Sequence, residues 1–156
     1  MINSAIEDIR TTLFRQVMFA EFELKIHELV EKKTPLTPKL LKEVYHDLNQ
    51  FYFGDEVIID SEIDIEWARV PHFYYNFYVY QYATGIAAAV YLADKVRNGG
   101  EKEREAYLNF LKGGSSKYPL DMLKVAGVDM TKSDAIDKTM EVFTNLIDEF
   151  EKLTSE

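Results

Sequence analysis

The chain has 156 residues, 47% of them hydrophobic, which excludes a disordered or low-complexity polymer and fits a single domain with one core. Eighteen Lys and Arg against 27 Asp and Glu leave a net charge of -9, and the basic residues form no patch, which argues against nucleic acid as a partner. With no cysteine, a disulfide framework, a thiolate zinc site and a Cys nucleophile are excluded.

In chain order, Ile2, Ile6, Ile9, Leu13, Val17, Ala20 and Leu24 recur at helical spacing and predict a first helix. Asn3 or Ser4 caps it, and Thr34-Pro35 stops it after Lys32 and Lys33. Thr37-Pro38 opens a second helix, with Leu40, Leu41, Val44, Tyr45 and Leu48 on its apolar face and Gly54 at its end. Residues 55–71 are less regular and fit a short strand or an extended connection, and Val70-Pro71 bars a helix from running through. A long central helix is predicted from His72 to about Asn98, ended by Gly99-Gly100. A helix over 101–112, a loop over 113–117, a short helix from Pro119 to Gly127 and a final helix capped by Ser133 complete the chain. The fold class is therefore all-α, a bundle of about six helices over residues 1–156. No membrane span is expected, because the most apolar segment, Ala83 to Ala93, is far shorter than the roughly 20 residues required. Glu7 and Asp8 stand where a signal peptide needs positive charge, so a cytoplasmic protein is expected.

Three stretches could carry chemistry. The first holds metal-ligand types. His27, His46 and His72 are the only histidines, and His27-Glu28-Leu29-Val30-Glu31 misses H-E-x-x-H because Glu31 stands in place of the second histidine. No metal site is expected in this chain. The second is aromatic: Phe73, Tyr74, Tyr75, Phe77, Tyr78, Tyr80 and Tyr82 crowd together just after His72. On a helix, Tyr74, Tyr78 and Tyr82 would share one face at i, i+4 and i+8, with His72 at its N-terminal end. Phenol donors beside an imidazole suit a carbonyl oxygen that gains negative charge, although the same spacing also describes an aromatic core stripe. The third is Gly113-Gly114-Ser115-Ser116-Lys117-Tyr118-Pro119, which lacks the strand of a P-loop and reads as a flexible loop able to close on a ligand. No serine lies in a nucleophile-elbow pattern.

The runs Phe14-Arg15-Gln16-Val17-Met18-Phe19-Ala20-Glu21-Phe22-Glu23, Pro71-His72-Phe73-Tyr74, Phe77-Tyr78-Val79-Tyr80-Gln81-Tyr82-Ala83-Thr84-Gly85 and Gly113-Gly114-Ser115-Ser116-Lys117-Tyr118-Pro119 together resemble the C-terminal part of the oligoendopeptidase F family, zinc metallopeptidases of the M3 group. The resemblance covers essentially the whole chain. It implies peptide hydrolysis in a longer protein, with zinc as cofactor held by an H-E-x-x-H helix that this chain lacks. It further implies that His72, Tyr78 and Tyr82 stabilise the tetrahedral intermediate. Tyr74 and Tyr75, and the loop residues Gly113, Gly114 and Ser115, would contact an oligopeptide substrate. The chain alone is then expected to bind no zinc and to hydrolyse nothing. A non-catalytic peptide-binding or interaction module, or one half of a split peptidase, remain alternatives. Apolar surface that a longer protein would cover predicts self-association, most simply a homodimer through the helix starting near Ile2 or through the aromatic face.

Overall fold

The computed structural model describes residues 1–155. Among these residues seven α-helices follow one another: α1 (Ile2–Ile9), α2 (Arg15–Glu31), α3 (Pro38–Phe53), α4 (Tyr80–Asn98), α5 (Glu101–Gly113), α6 (Pro119–Val125) and α7 (Asp134–Thr154). One π-helical turn (Arg10–Phe14) separates α1 from α2, and two 3-10 helices (Ser61–Arg69 and Pro71–Tyr75) lie between α3 and α4. No strand occurs among the described residues, so the all-α class holds.

Most helix ends follow local chemistry. Thr37 Oγ1 accepts from the Leu40 N–H at 3.2 Å, with Pro38 in the first turn of α3. Gly54, at φ +76, closes α3. Helix α2 ends in a Schellman arrangement: the Lys33 N–H bonds the Val30 carbonyl and the Thr34 N–H bonds the Leu29 carbonyl, with Lys33 at φ +60 where glycine is usual. Gly127, at φ +81, closes α6 with the same pair of bonds, to Lys124 and Leu123. Glu103 reaches back to the Gly100 N–H at 2.9 Å and starts α5.

Four expectations are corrected. The first helix is divided by the π-turn at Arg10–Phe14. Its start makes no side-chain cap, and Asn3 and Ser4 lie inside α1. Ser133 precedes α7 in a helical conformation that keeps its hydroxyl off the cap. The central helix begins at Tyr80 and not at His72, because Asn76 and Phe77 have φ of +41 and +54 and no helix passes through such values.

The chain divides into two compact units, residues 11–83 and residues 1–10 with 84–156. Each holds its own apolar cluster. Residues 1–10 with 84–156 bury small side chains, Ala87, Ala88, Ala126 and Ala135, with Leu92 and Val128. Within this unit α1 packs on α7 and α5 on α6, and Lys138 pairs with Asp94 at 3.2 Å.

Residues 11–83 have an aromatic core. Phe22 meets Tyr45 edge-on at 5.2 Å between ring centroids, and Phe73 packs on both Phe19 (5.5 Å) and Phe22 (5.3 Å). Inside this core lies the carboxylate of Glu66. It accepts from the Tyr45 hydroxyl at 2.7 Å and is paired with Arg15 and Arg69. Burial pushes the Glu66 carboxyl up, but the Tyr45 hydroxyl and the two guanidinium groups outweigh it and hold the group below its ordinary value. Burial, followed by the bond to Glu66, pushes the Tyr45 phenol well above its own ordinary range.

Because the folded value of Glu66 is depressed, its contribution to stability is complete above the unfolded carboxyl value of about 4.3 and is lost as pH falls below it. Glu66→Gln is expected to flatten the acid limb of a stability–pH curve followed by the fluorescence of Trp67. Tyr45→Phe strips a donor from a buried carboxylate and is expected to cost about 1–3 kcal/mol in chemical denaturation.

Candidate functional site

The aromatic run is shaped by a reversal and not by a helix. The 3-10 turn Pro71–Tyr75 ends at Asn76, the chain doubles back through Asn76 and Phe77, and α4 starts at Tyr80. Phe73 before the reversal packs against the aromatic core, and Val79 after it is fully buried. Both flanks are therefore anchored by apolar burial.

The reversal folds His72 back onto the tyrosines. The His72 imidazole and the Tyr78 ring stack with centroids 5.4 Å apart and planes 4° from parallel. Tyr82, in the first turn of α4, meets His72 edge-on at 5.5 Å and Tyr78 edge-on at 5.7 Å. The Tyr82 hydroxyl lies 3.2 Å from His72 Nε2, within hydrogen-bond distance. His72 is half-buried, while Tyr78 and Tyr82 are 39% and 36% exposed. An imidazole nitrogen and two phenol hydroxyls thus meet at the surface, which is a donor set that can receive a polar ligand. The Tyr78 hydroxyl, helped by partial desolvation, holds the Tyr82 phenol above its ordinary value.

The other candidates are placed differently. Tyr75 touches the edge of the cluster, 6.1 Å from Tyr78. Tyr74 does not share a face with Tyr78 and Tyr82, because the 3-10 turn sends it elsewhere. It is 74% exposed and outside the ring cluster. Gly113 is the last residue of α5, where an added Cβ would meet the thioether end of Met122, so it lies where α5 packs on α6. Gly114 takes φ +52 at the start of the loop, and Ser115 is exposed.

The three histidines serve three separate contacts. His27 lies against the Phe77 ring at 4.5 Å, His46 Nδ1 is 2.8 Å from Asp64 Oδ1, and His72 belongs to the tyrosine cluster. No group of three or more His, Asp or Glu able to hold a metal ion occurs among the described residues. The described residues therefore offer no donor set that fits a zinc ion. No helix among these residues is long and apolar enough to cross a membrane.

One residue at the site escaped the sequence reading. Glu23, 1% exposed, accepts the Phe77 N–H at 2.6 Å in the middle of the reversal. An acid on the apolar side of α2, between Phe22 and Ile26, is the signal that could have marked it.

The peptidase family M3 model matches residues 1–142 of this chain. The chain belongs to peptidase family M3. It is 52% identical over 153 residues to oligopeptidase PepF of Bacillus subtilis, and 49% identical over 153 residues to the plasmid-encoded oligoendopeptidase F of Lactococcus lactis subsp. cremoris. These alignments cover 98% of this chain but only 23% and 26% of the relatives, so the chain spans about a quarter of their length. The crystal structure of oligoendopeptidase-F from Enterococcus faecium superposes with a TM-score of 0.95 at 45% identity, over 99% of this chain and 30% of that one. The M3 resemblance and the all-α fold read from the sequence both hold.

Tyr78→Phe is expected to return the Tyr82 ionisation toward the ordinary value near 10, read as the ζ-carbon titration in tyrosine-labelled NMR spectra. A Tyr82 titration unchanged by that substitution would show that Tyr78 is not its partner.

Proposed function

We propose that this chain forms the substrate-binding and carbonyl-polarising part of an oligopeptide-hydrolysing M3 peptidase of the oligoendopeptidase F type. The observation that supports the reading most directly is the cluster of His72, Tyr78 and Tyr82. A peptide carbonyl oxygen offers two lone pairs to such donors and gains charge as the carbon becomes tetrahedral. Donors already in place at that oxygen lower the barrier, because nothing has to reorganise as the charge develops. In this reading the Tyr82 phenol, whose proton is held more firmly than usual, stays a hydrogen-bond donor at neutral pH. His72 supplies the second donor through its imidazole, and the stacked Tyr78 ring fixes the orientation of that imidazole while presenting its own hydroxyl. Tyr75 and Tyr74 would line the flanking peptide, and Gly113, Gly114 and Ser115 would approach its backbone; this last assignment rests on the resemblance alone.

The zinc of the family would act on the scissile carbonyl and the attacking water from ligands outside this chain, and the residues described here bind, orient and donate. A cytoplasmic location belongs to the same proposal. So does self-association of the chain by itself, since Phe51 and Ile58 project into solvent.

Two measurements test the reading. Titrating a short unlabelled oligopeptide into the labelled chain is expected to shift the His72, Tyr78 and Tyr82 resonances saturably, and His72→Ala is expected to abolish the response. Shifts confined to other residues would refute it. In a longer protein that carries its own metal ligands, Tyr82→Phe is expected to lower kcat by about 10²–10³ with little change in KM, the usual consequence of removing one oxyanion donor.

A further inference from the structure

We propose that Glu23 is a positioning residue for the His72–Tyr78–Tyr82 cluster, acting through the backbone of Phe77. The inference deepens the reading above and rests on it for its functional meaning, but its geometry stands separately. Phe77 is a bulky residue at φ +54, directly after Asn76 at φ +41. Asparagine enters positive φ more readily than phenylalanine, but at ψ +107 Asn76 lies outside the left-handed helical region as well, so the pair persists only where surrounding contacts over-determine it.

Those contacts come from one helix, α2. The Glu23 carboxylate, sealed from solvent, accepts the Phe77 N–H at 2.6 Å. One turn further along the same helix, the His27 ring lies against the Phe77 ring at 4.5 Å. Backbone and side chain of Phe77 are thus gripped together. The residue after Phe77 is Tyr78, so the direction in which its ring leaves the chain is set by that grip. Without the acceptor at Glu23, the Phe77 N–H would be left unpaired beside the core, and residues 76 and 77 would relax to negative φ. Tyr78 would then swing off the His72 imidazole, and the route by which Tyr82 meets both would open.

The test uses the labelled chain without any peptide. In the unaltered protein the Phe77 amide is expected to exchange slowly with solvent despite its exposed side chain and neighbours. Exchange at the rate of a free amide would overturn the proposal without any variant. Glu23→Leu, which removes the acceptor but keeps an apolar filler, is expected to abolish the His72–Tyr78 ring contacts in nuclear Overhauser spectra and the ring-current displacement of the His72 protons. Glu23→Gln, which keeps an acceptor oxygen, is expected to retain both. The resonances of Trp67, Phe22 and Met18 report whether the core survives in each variant. Loss of the cluster with the core intact in Glu23→Leu, together with rescue in Glu23→Gln, supports the proposal. An intact cluster in Glu23→Leu overturns it. Failure to bind peptide by an unaltered chain whose cluster is seen to be assembled counts against the substrate role and leaves the positioning role standing.

Discussion

Two consecutive non-glycine residues at positive φ cost about 1–3 kcal/mol each, and the structure keeps them at Asn76 and Phe77. Such a cost is comparable to what burying a single large apolar side chain returns, about 1.5–3 kcal/mol. Phe73 on one side of the reversal and Val79 on the other are both drawn into the aromatic core, and the Phe77 N–H finds an acceptor inside it. The strain is therefore offset by apolar burial at Phe73 and Val79, within a few residues, and by an acceptor on α2, 54 residues away. What the reversal achieves is to place the imidazole before it against the phenols after it. A helix through the same residues would have spread His72 and Tyr82 over almost three turns, about 15 Å apart along the axis.

How much of this could be read from residue order alone depends on how local its cause is. The end of α2, both ends of α3 and the end of α6 were legible, because each is decided by a Thr-Pro pair or a glycine acting within four or five residues. The start of α4 was not. Tyr74, Tyr78 and Tyr82 satisfy the i, i+4, i+8 template, and nothing within the segment forbids a helix apart from Asn76, a residue common in turns. The acceptor that meets the Phe77 N–H at the reversal is a carboxylate 54 residues upstream, beyond any local template. The helical template therefore placed Tyr74 with Tyr78 and Tyr82, which the structure does not do. It placed His72 near them for the wrong geometric reason.

The two apolar clusters differ in kind, and the difference bears on the site. Residues 1–10 with 84–156 are held by alanine-rich contacts that let helices approach closely. Residues 11–83 are held by large rings meeting edge-on and face-on. Rings have few rotamers and many contacts, so a core of this kind tolerates little local rearrangement. The cluster of His72, Tyr78 and Tyr82 is attached to it through Phe73 and Val79, one residue away from His72 and from Tyr78 respectively. Preorganised donors require such a base, since a donor free to turn toward water loses most of its advantage.

Residues 55–79 contain no α-helix, so their shape cannot come from repeating backbone hydrogen bonds alone. Two buried carboxylates take over part of that role. Glu66 ties the first 3-10 helix to α3 through Tyr45 and to α2 through Arg15, across a separation of 51 residues between Arg15 and Glu66. Glu23 ties α2 to the reversal, 54 residues away. A buried acid costs more than an apolar residue unless its lone pairs are filled. Glu23 is tolerated because the irregular segment presents the Phe77 N–H to it, and Glu66, itself in that segment, because Tyr45, Arg15 and Arg69 fill its lone pairs. Both acids thereby join the irregular residues 55–79 to α2, one at the first 3-10 helix and one at the reversal.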